Sequence, residues 1–296
     1  MAATQTVEVS HLGARLGYAI SNGHLDPAKP TVVMINSMNT TVSLYKKQLN
    51  SKRLTDVVNV LAIEPLGHGA TTCNEDHYTY WDTARCALEA MTALGVSKAF
   101  ALGTSQGGWI IVRMALIAPD RILGLLPLGT SMDSESAESR TKGCWDAVAI
   151  AKPFLEKWFS SMLTPDFVVG DDWVGALLYL GFGASATQDD TAFWTKTLKD
   201  VYSGDVGRRK IRMSAICLAE RDGLMLRLGD VKCPVHWLHG TTDAVYGTQV
   251  PKEHILLFCN SKEAKLDFLE NGVHFLSASH PSEVEKAILD MVTKYK

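Results

Sequence analysis

KAFALGTSQGGWIIVRMALIA, residues 98–118, decides how this chain is read. KAFALG (98–103) is apolar and small after its first residue, the pattern of a strand buried on both faces of a sheet. GWIIVRMALIA (108–118) carries apolar groups at a helical repeat and stops at Pro119, which cannot continue a helix. Between them lies GTSQG, a serine flanked by glycines where a strand hands over to a helix. A hydroxyl at such a turn stands at the tip of a strand. The backbone N–H of the next residue sits at the helix N-terminus, where developing negative charge is favoured. Ser105 is therefore a candidate nucleophile and Gln106 a candidate oxyanion donor. A glycine-rich loop with a capping serine is the plain alternative, and five loosely specified positions do not exclude it.

The surroundings are more informative. Residues 7–20 read as two short strands joined at Gly13, and TVVMI (31–35), VVNVLAIE (57–64) and ILGLLPL (122–128) as further strands. Residues 81–94 repeat apolar groups at helical spacing and end at Gly95. Strands alternating with helices imply crossover connections, and hence an α/β fold with a mostly parallel sheet flanked by helices. From 133 to 230 helical patterns dominate. The strand rhythm returns with PVHWLHG (234–240) and KLDFLE (265–270), and a last helix runs from Pro281 to Lys294. The expected organisation is a core of residues 1–132 and 231–296, interrupted by a helical cap of residues 133–230.

Two later strand ends carry the partners that a nucleophilic hydroxyl needs. TTDAVY follows PVHWLHG and places Asp243; NGVHF follows KLDFLE and places His274. Ligand sites of open parallel sheets form at the C-terminal ends of the strands. Ser105, Asp243 and His274 are expected there together, in the chain order Ser…Asp…His. Asp133 also follows a strand, but it sits in SMDSESAES, which reads as a surface linker. His68, His239 and His280 read as turn or locally bonded histidines.

With GTSQGG, APDRI (118–122), HGTTDAVY (239–246) and NGVHF (271–275), the chain resembles the α/β-hydrolase fold superfamily, as a serine hydrolase with a helical cap. EPLGHGAT (64–71) is similar to that family's D-x-P-G-x-G-x-S loop, with Glu64 in place of the aspartate. The resemblance implies Ser105 as nucleophile, His274 as base and Asp243 as the acid that orients it. The family's His-Gly after the strand TVVMI is replaced here by Asn36-Ser37, and Met38 matches the second oxyanion donor. INSMNTTVSLYKKQL is also similar to acyltransferase-like members of the fold.

The expected reaction is cleavage of an ester, lactone or thioester through an acyl-enzyme, without cofactor or metal. A serine at the turn argues against the epoxide hydrolases and dehalogenases of this fold, which use a carboxylate nucleophile. An acyltransferase with the same triad, a carbon–carbon bond hydrolase and a non-catalytic ligand-binding protein are the alternatives. The aromatic residues of 133–230 point to a hydrophobic small-molecule substrate. Trp173 and Tyr179 are the first candidates to line its pocket, with Ser37 and Asn39 as candidates for polar contacts.

Composition bounds the rest. The chain is 46% hydrophobic and 21% charged with a formal charge of -3, which offers no basic surface for nucleic acid. Its six cysteines lack a C-x-x-C pair and its nine histidines are scattered, so neither a disulfide frame nor a metal site is expected. GFGASA (181–186) has no strand feeding it and is not a nucleotide loop. MAATQTVEVSHLG lacks the layout of a signal peptide, and no apolar run is long enough to span a membrane. A cytoplasmic location is expected, and a homodimer is left open.

Overall fold

A computed structural model describes residues 4–296. The chain opens with an antiparallel hairpin of β1 (Gln5–Glu8) and β2 (Arg15–Ile20), reversing through Leu12 and Gly13 at positive φ. β3 (Thr31–Ile35), α1 (Lys46–Asn50), α2 (Lys52–Thr55) and β4 (Asn59–Ile63) follow. Next come α3 (Tyr80–Ala93), β5 (Ala99–Thr104), α4 (Gln106–Ile117) and β6 (Ile122–Leu128). α5 (Ala137–Thr141), α6 (Ala147–Lys157), α7 (Asp171–Phe182), α8 (Gln188–Val201) and α9 (Gly204–Ala219) intervene before the sheet resumes. β7 (Val235–Gly240), α10 (Gln249–His254), β8 (Ala264–Leu269), α11 (Leu276–Ser279) and α12 (Pro281–Tyr295) complete the chain.

The strands form one sheet in the order β1-β2-β4-β3-β5-β6-β7-β8, antiparallel up to β4 and parallel from there on. β3, β4 and β5 are buried throughout, and their alternate side chains feed two different cores. Val33, Ile35, Leu61, Ile63, Ala99 and Ala101 pack with α3 and α4. Val32, Met34, Val60, Ala62, Phe100 and Leu102 pack with α12 on the opposite face. The second core continues without a break into Trp158, Trp173, Trp194 and Tyr202 of the helices between β6 and β7. Burial on both faces is why these strands read as continuous apolar runs.

The expected elements are present, with shifted ends. The strand expected over 57–64 spans Asn59–Ile63, and the helix expected from 108 begins at Gln106. The second shift matters, because it leaves Ser105 as the single residue between β5 and α4. Helices α1, α2, α10 and α11 have four to six residues, too few to show a periodic pattern in sequence.

Candidate active site

Ser105 stands at φ 55 and ψ −119, a region that L-residues rarely occupy and that costs about 1–3 kcal/mol. Bonds on both sides of its backbone hold it there. Its N–H donates to Leu128 O at 2.9 Å, and its carbonyl accepts from Gly108 N–H at 2.8 Å and from the Thr130 hydroxyl at 2.9 Å. The turn is tight enough to need glycine at two places. A Cβ on Gly103 would lie 2.1 Å from Gly107 O, and one on Gly107 would lie 2.0 Å from Ile35 O. GTSQG is thus a packing requirement of the strand-to-helix turn.

Asp243 and His274 meet at the ends of the neighbouring strands β7 and β8. The ring Nδ1 of His274 lies 2.9 and 3.0 Å from the two carboxylate oxygens of Asp243. A carboxylate can only accept, so Nδ1 carries the hydrogen, and it is Nε2 that is left to face a proton donor. Asp243 is fully buried in its side chain and also accepts from the N–H groups of Val245 and Tyr246, at 2.8 and 3.0 Å. Burial alone would raise its pKa. The His274 ring and its hydrogen bond, His239 and the Tyr246 N–H outweigh that and hold the carboxyl below the ordinary aspartate value. Gly129, at φ +47, makes room for the pair: a Cβ there would sit 2.6 Å from His274 O and 3.0 Å from Asp243 Oδ2. Among the described residues no hydrogen bond joins the Ser105 hydroxyl to the His274 ring, although both line one cavity. Such bonds are often long until substrate is present.

Two loops flank Ser105. In the first, Asn36 Nδ2 donates to Thr40 O at 2.9 Å and to Ser37 O at 3.2 Å, and the Thr40 hydroxyl donates to Ser37 O at 2.7 Å. The Ser37 carbonyl is therefore drawn into the loop. The trans peptide that it belongs to points the Met38 N–H the other way. In the second loop, His68 Nδ1–H donates to Leu66 O at 2.8 Å, and His68 Nε2 accepts from the Gln106 side chain at 2.8 Å. The second bond requires a neutral ring, and burial lowers the His68 pKa to about 4. With its side chain held by His68, Gln106 opens α4 and leaves its backbone N–H without an intrahelical partner. Glu64 joins the two loops by accepting from Val42 N–H at 3.1 Å and Ala70 N–H at 2.7 Å. Burial pushes its carboxyl above the usual range, against the pull of those donors and of Lys210.

The cavity in front of Ser105 has a volume of about 510 Å³, its open mouth included. Ser37, Met38, Trp173 and His274 line it with Ser105, together with apolar residues of α7. Two expected lining residues lie elsewhere. Tyr179 is 68% exposed, because it falls on the outer side of α7. Asn39 is fully buried and turned into the helices after β6: its Oδ1 accepts from Trp173 Nε1 at 3.1 Å, and its Nδ2 donates to Ser214 Oγ at 2.9 Å and Tyr202 OH at 3.0 Å. Sequence reading missed Gly129 and Leu218 and took Trp145 only as one of the aromatic residues of 133–230; Leu218 and Trp145 line the cavity. It also missed Glu135, a charged residue buried behind that wall. Among the described residues no group of three or more His, Cys, Asp or Glu is placed to hold a metal ion, and no helix is long and apolar enough to cross a membrane.

A mostly parallel sheet flanked by helices, with a serine on a strained strand-to-helix turn, defines a class. The profile of the alpha/beta hydrolase fold family matches residues 30–147. The fold is shared over nearly the full length with solved structures of low sequence identity. A hydrolase from Pseudomonas aeruginosa has a TM-score of 0.77 at 22% identity, with 98% of each chain covered. An enol-lactonase from Burkholderia xenovorans has a TM-score of 0.75 at 19% identity, covering 97% of this chain and 100% of that one. A thermophilic esterase from Thermogutta terrifontis has a TM-score of 0.76 at 17% identity, with 99% of each chain covered. A Stutzerimonas stutzeri protein named "Putative carbamate hydrolase RutD" is 26% identical over 108 residues, a match spanning 36% of this chain and 40% of that relative. Residues 30–147 thus match the alpha/beta hydrolase fold family, and the chain as a whole has the α/β-hydrolase fold.

Proposed function

We propose that this protein is a cofactor-independent serine hydrolase that cleaves an ester, lactone or thioester of an uncharged, hydrophobic acyl compound. The observation that carries the reading is the bonded pair of Asp243 and His274 on the wall of the same cavity as the strained Ser105. Ser105 Oγ attacks the carbonyl carbon while its proton passes to His274 Nε2. Asp243 holds the ring and stabilises the cation that forms. The N–H groups of Gln106 and Met38 receive the oxyanion. Collapse of the tetrahedral intermediate breaks the bond to the leaving alcohol or thiol, which takes the proton back from His274. Water then repeats the sequence on the acyl-enzyme and frees Ser105.

The substrate class follows from the lining. His274 is the one ionisable side chain among the described residues that line the cavity, and the other walls are largely Trp, Leu, Ile and Phe. A charged substrate would lose its hydration there without gaining a partner. In this reading residues 133–230 act as a cap on the core of residues 1–132 and 231–296, and Trp173 of α7 roofs the cavity. A fluorophosphonate probe tests the proposal. Wild type is expected to label on Ser105, with Ser105→Ala and His274→Ala unlabelled. Undiminished labelling of Ser105→Ala would sink it.

A further inference from the structure

Behind the cavity wall lies a buried ion pair that the catalytic scheme does not use. The side chains of Glu135 and Arg221 are each 2% exposed and bonded to one another. Glu135 follows β6 and takes φ 53, an uncommon conformation for a residue with a side chain. Its Oε1 also accepts from the Trp145 indole N–H at 3.3 Å and from the Tyr246 hydroxyl at 3.2 Å. Arg221 donates in turn to Leu218 O and stacks 4.6 Å over the ring of Trp109.

Three cavity-lining residues from distant stretches of chain are therefore tied to this one pair. Trp145 is bonded to Glu135 directly. Leu218 is held through its carbonyl by Arg221. Val245 precedes Tyr246 and accepts the Trp145 backbone N–H at 2.9 Å. The same pair reaches the catalytic end, because the Tyr246 N–H donates to Asp243. A buried ion pair is a weak source of net stability, since apolar groups of the same volume hold a core as well. What it adds is direction: each oxygen accepts, and each N–H donates, over a narrow range of angles. Apolar packing would let an indole wall shift by rotamer.

We infer that Glu135, with Arg221, is a positioning residue for substrate size, fixing Trp145, Leu218 and Val245 as a rigid end wall that sets which acyl length the cavity accepts. The inference rests on the proposed hydrolase reading and deepens it. Loosening the wall admits longer chains and costs the shorter ones their fit, and it leaves the acid–base chemistry in place.

The test is a series of p-nitrophenyl esters from acetate to decanoate, turned over by wild type, Glu135→Gln, Trp145→Phe and the double variant. Trp145→Phe removes the N–H but also trims a residue that lines the cavity, so Tyr246→Phe, which cuts a Glu135 bond outside the lining, joins the series and decides the matter if Glu135→Gln fails to fold. In each single variant the ratio of kcat/KM for long against short esters should shift on the order of tenfold, carried by KM, with the pH midpoint of kcat unmoved. The double variant should shift no further than the larger single one, because both cut the same link. Parallel loss across all ester lengths, an unchanged profile or additive shifts would each overturn the inference. A wild type that turns over no ester and leaves Ser105 unlabelled would instead overturn the hydrolase reading, and the inference with it.

Discussion

Asp243 bonds to Nδ1 of His274 through both carboxylate oxygens, whereas Asp133, the other acid that follows a sheet strand, turns its carboxylate onto Ser136. The Asp133 carboxylate accepts from the Ser136 N–H at 3.1 Å and from its hydroxyl at 2.6 Å, and so braces the turn into α5. Asp243→Asn should therefore lower kcat on a p-nitrophenyl ester by about 10⁴-fold, since the amide favours the wrong imidazole tautomer. Asp133→Asn should leave kcat nearly unchanged. The opposite outcome would move the acid to the end of β6.

Gly129 separates crowding from strain. Gly129→Ala would press a methyl onto His274 O and Asp243 Oδ2, while Gly95, at φ +77, has nothing within 4 Å of such a methyl. Both substitutions carry the backbone penalty of a positive φ, about 1 kcal/mol. Only Gly129→Ala should also lower kcat, by 10- to 100-fold on the order-of-magnitude scale of a misplaced catalytic group. Equal kcat values for the two variants would show that the acid–base pair does not depend on this space.

Acid should weaken the fold through its buried histidines. The pKa values of His68 and His254 are lowered to about 4 by burial, against an unfolded value near 6.5. Between these values the unfolded chain binds more protons than the folded one, so stability falls as pH drops from 6.5 towards 4. Each such group contributes on the order of 3 kcal/mol across that window. Urea titrations at pH 7 and pH 5 should show the loss in wild type, and a smaller one in His68→Gln. An identical pH slope in the variant would remove His68 as a cause.

Asn39 is expected to matter for folding more than for substrate contact. Asn39→Ala takes the acceptor from Trp173 Nε1 and the donor from Tyr202 and Ser214, all buried. The cost should be about 3 kcal/mol, read as a lower urea midpoint. Asn39→Gly accommodates the φ of 53 and should be no better, because the bonds are missing in both. Unchanged stability with a raised KM would return Asn39 to the substrate.

Much of the fold could be read from short stretches. TVVMI and ILGLLPL coincide with β3 and β6, because a strand buried on both faces leaves no room for polar side chains. The serine turn could be read for a related reason: Gly103 and Gly107 stand where the strand and helix approach too closely for a side chain. Tyr179 is hard to place from sequence because α7, DDWVGALLYLGF, is apolar on every side beyond its first two residues and so does not show which way it faces. Glu135, in the polar run SMDSESAES, resembles a solvated residue until Arg221 and Tyr246 are brought against it.

The alternation of strands and helices, the turn at Ser105 and the chain order of the three candidate catalytic residues are all legible in the amino-acid order. These depend on apolar spacing and on steric demands between near neighbours. Which acid meets His274, that Asn39 faces the helices after β6, and that a charged residue backs the cavity wall emerge from packing across the fold. A buried polar group takes whichever partner packing brings within reach. For Glu135 and Arg221 that partner lies 86 positions away along the chain.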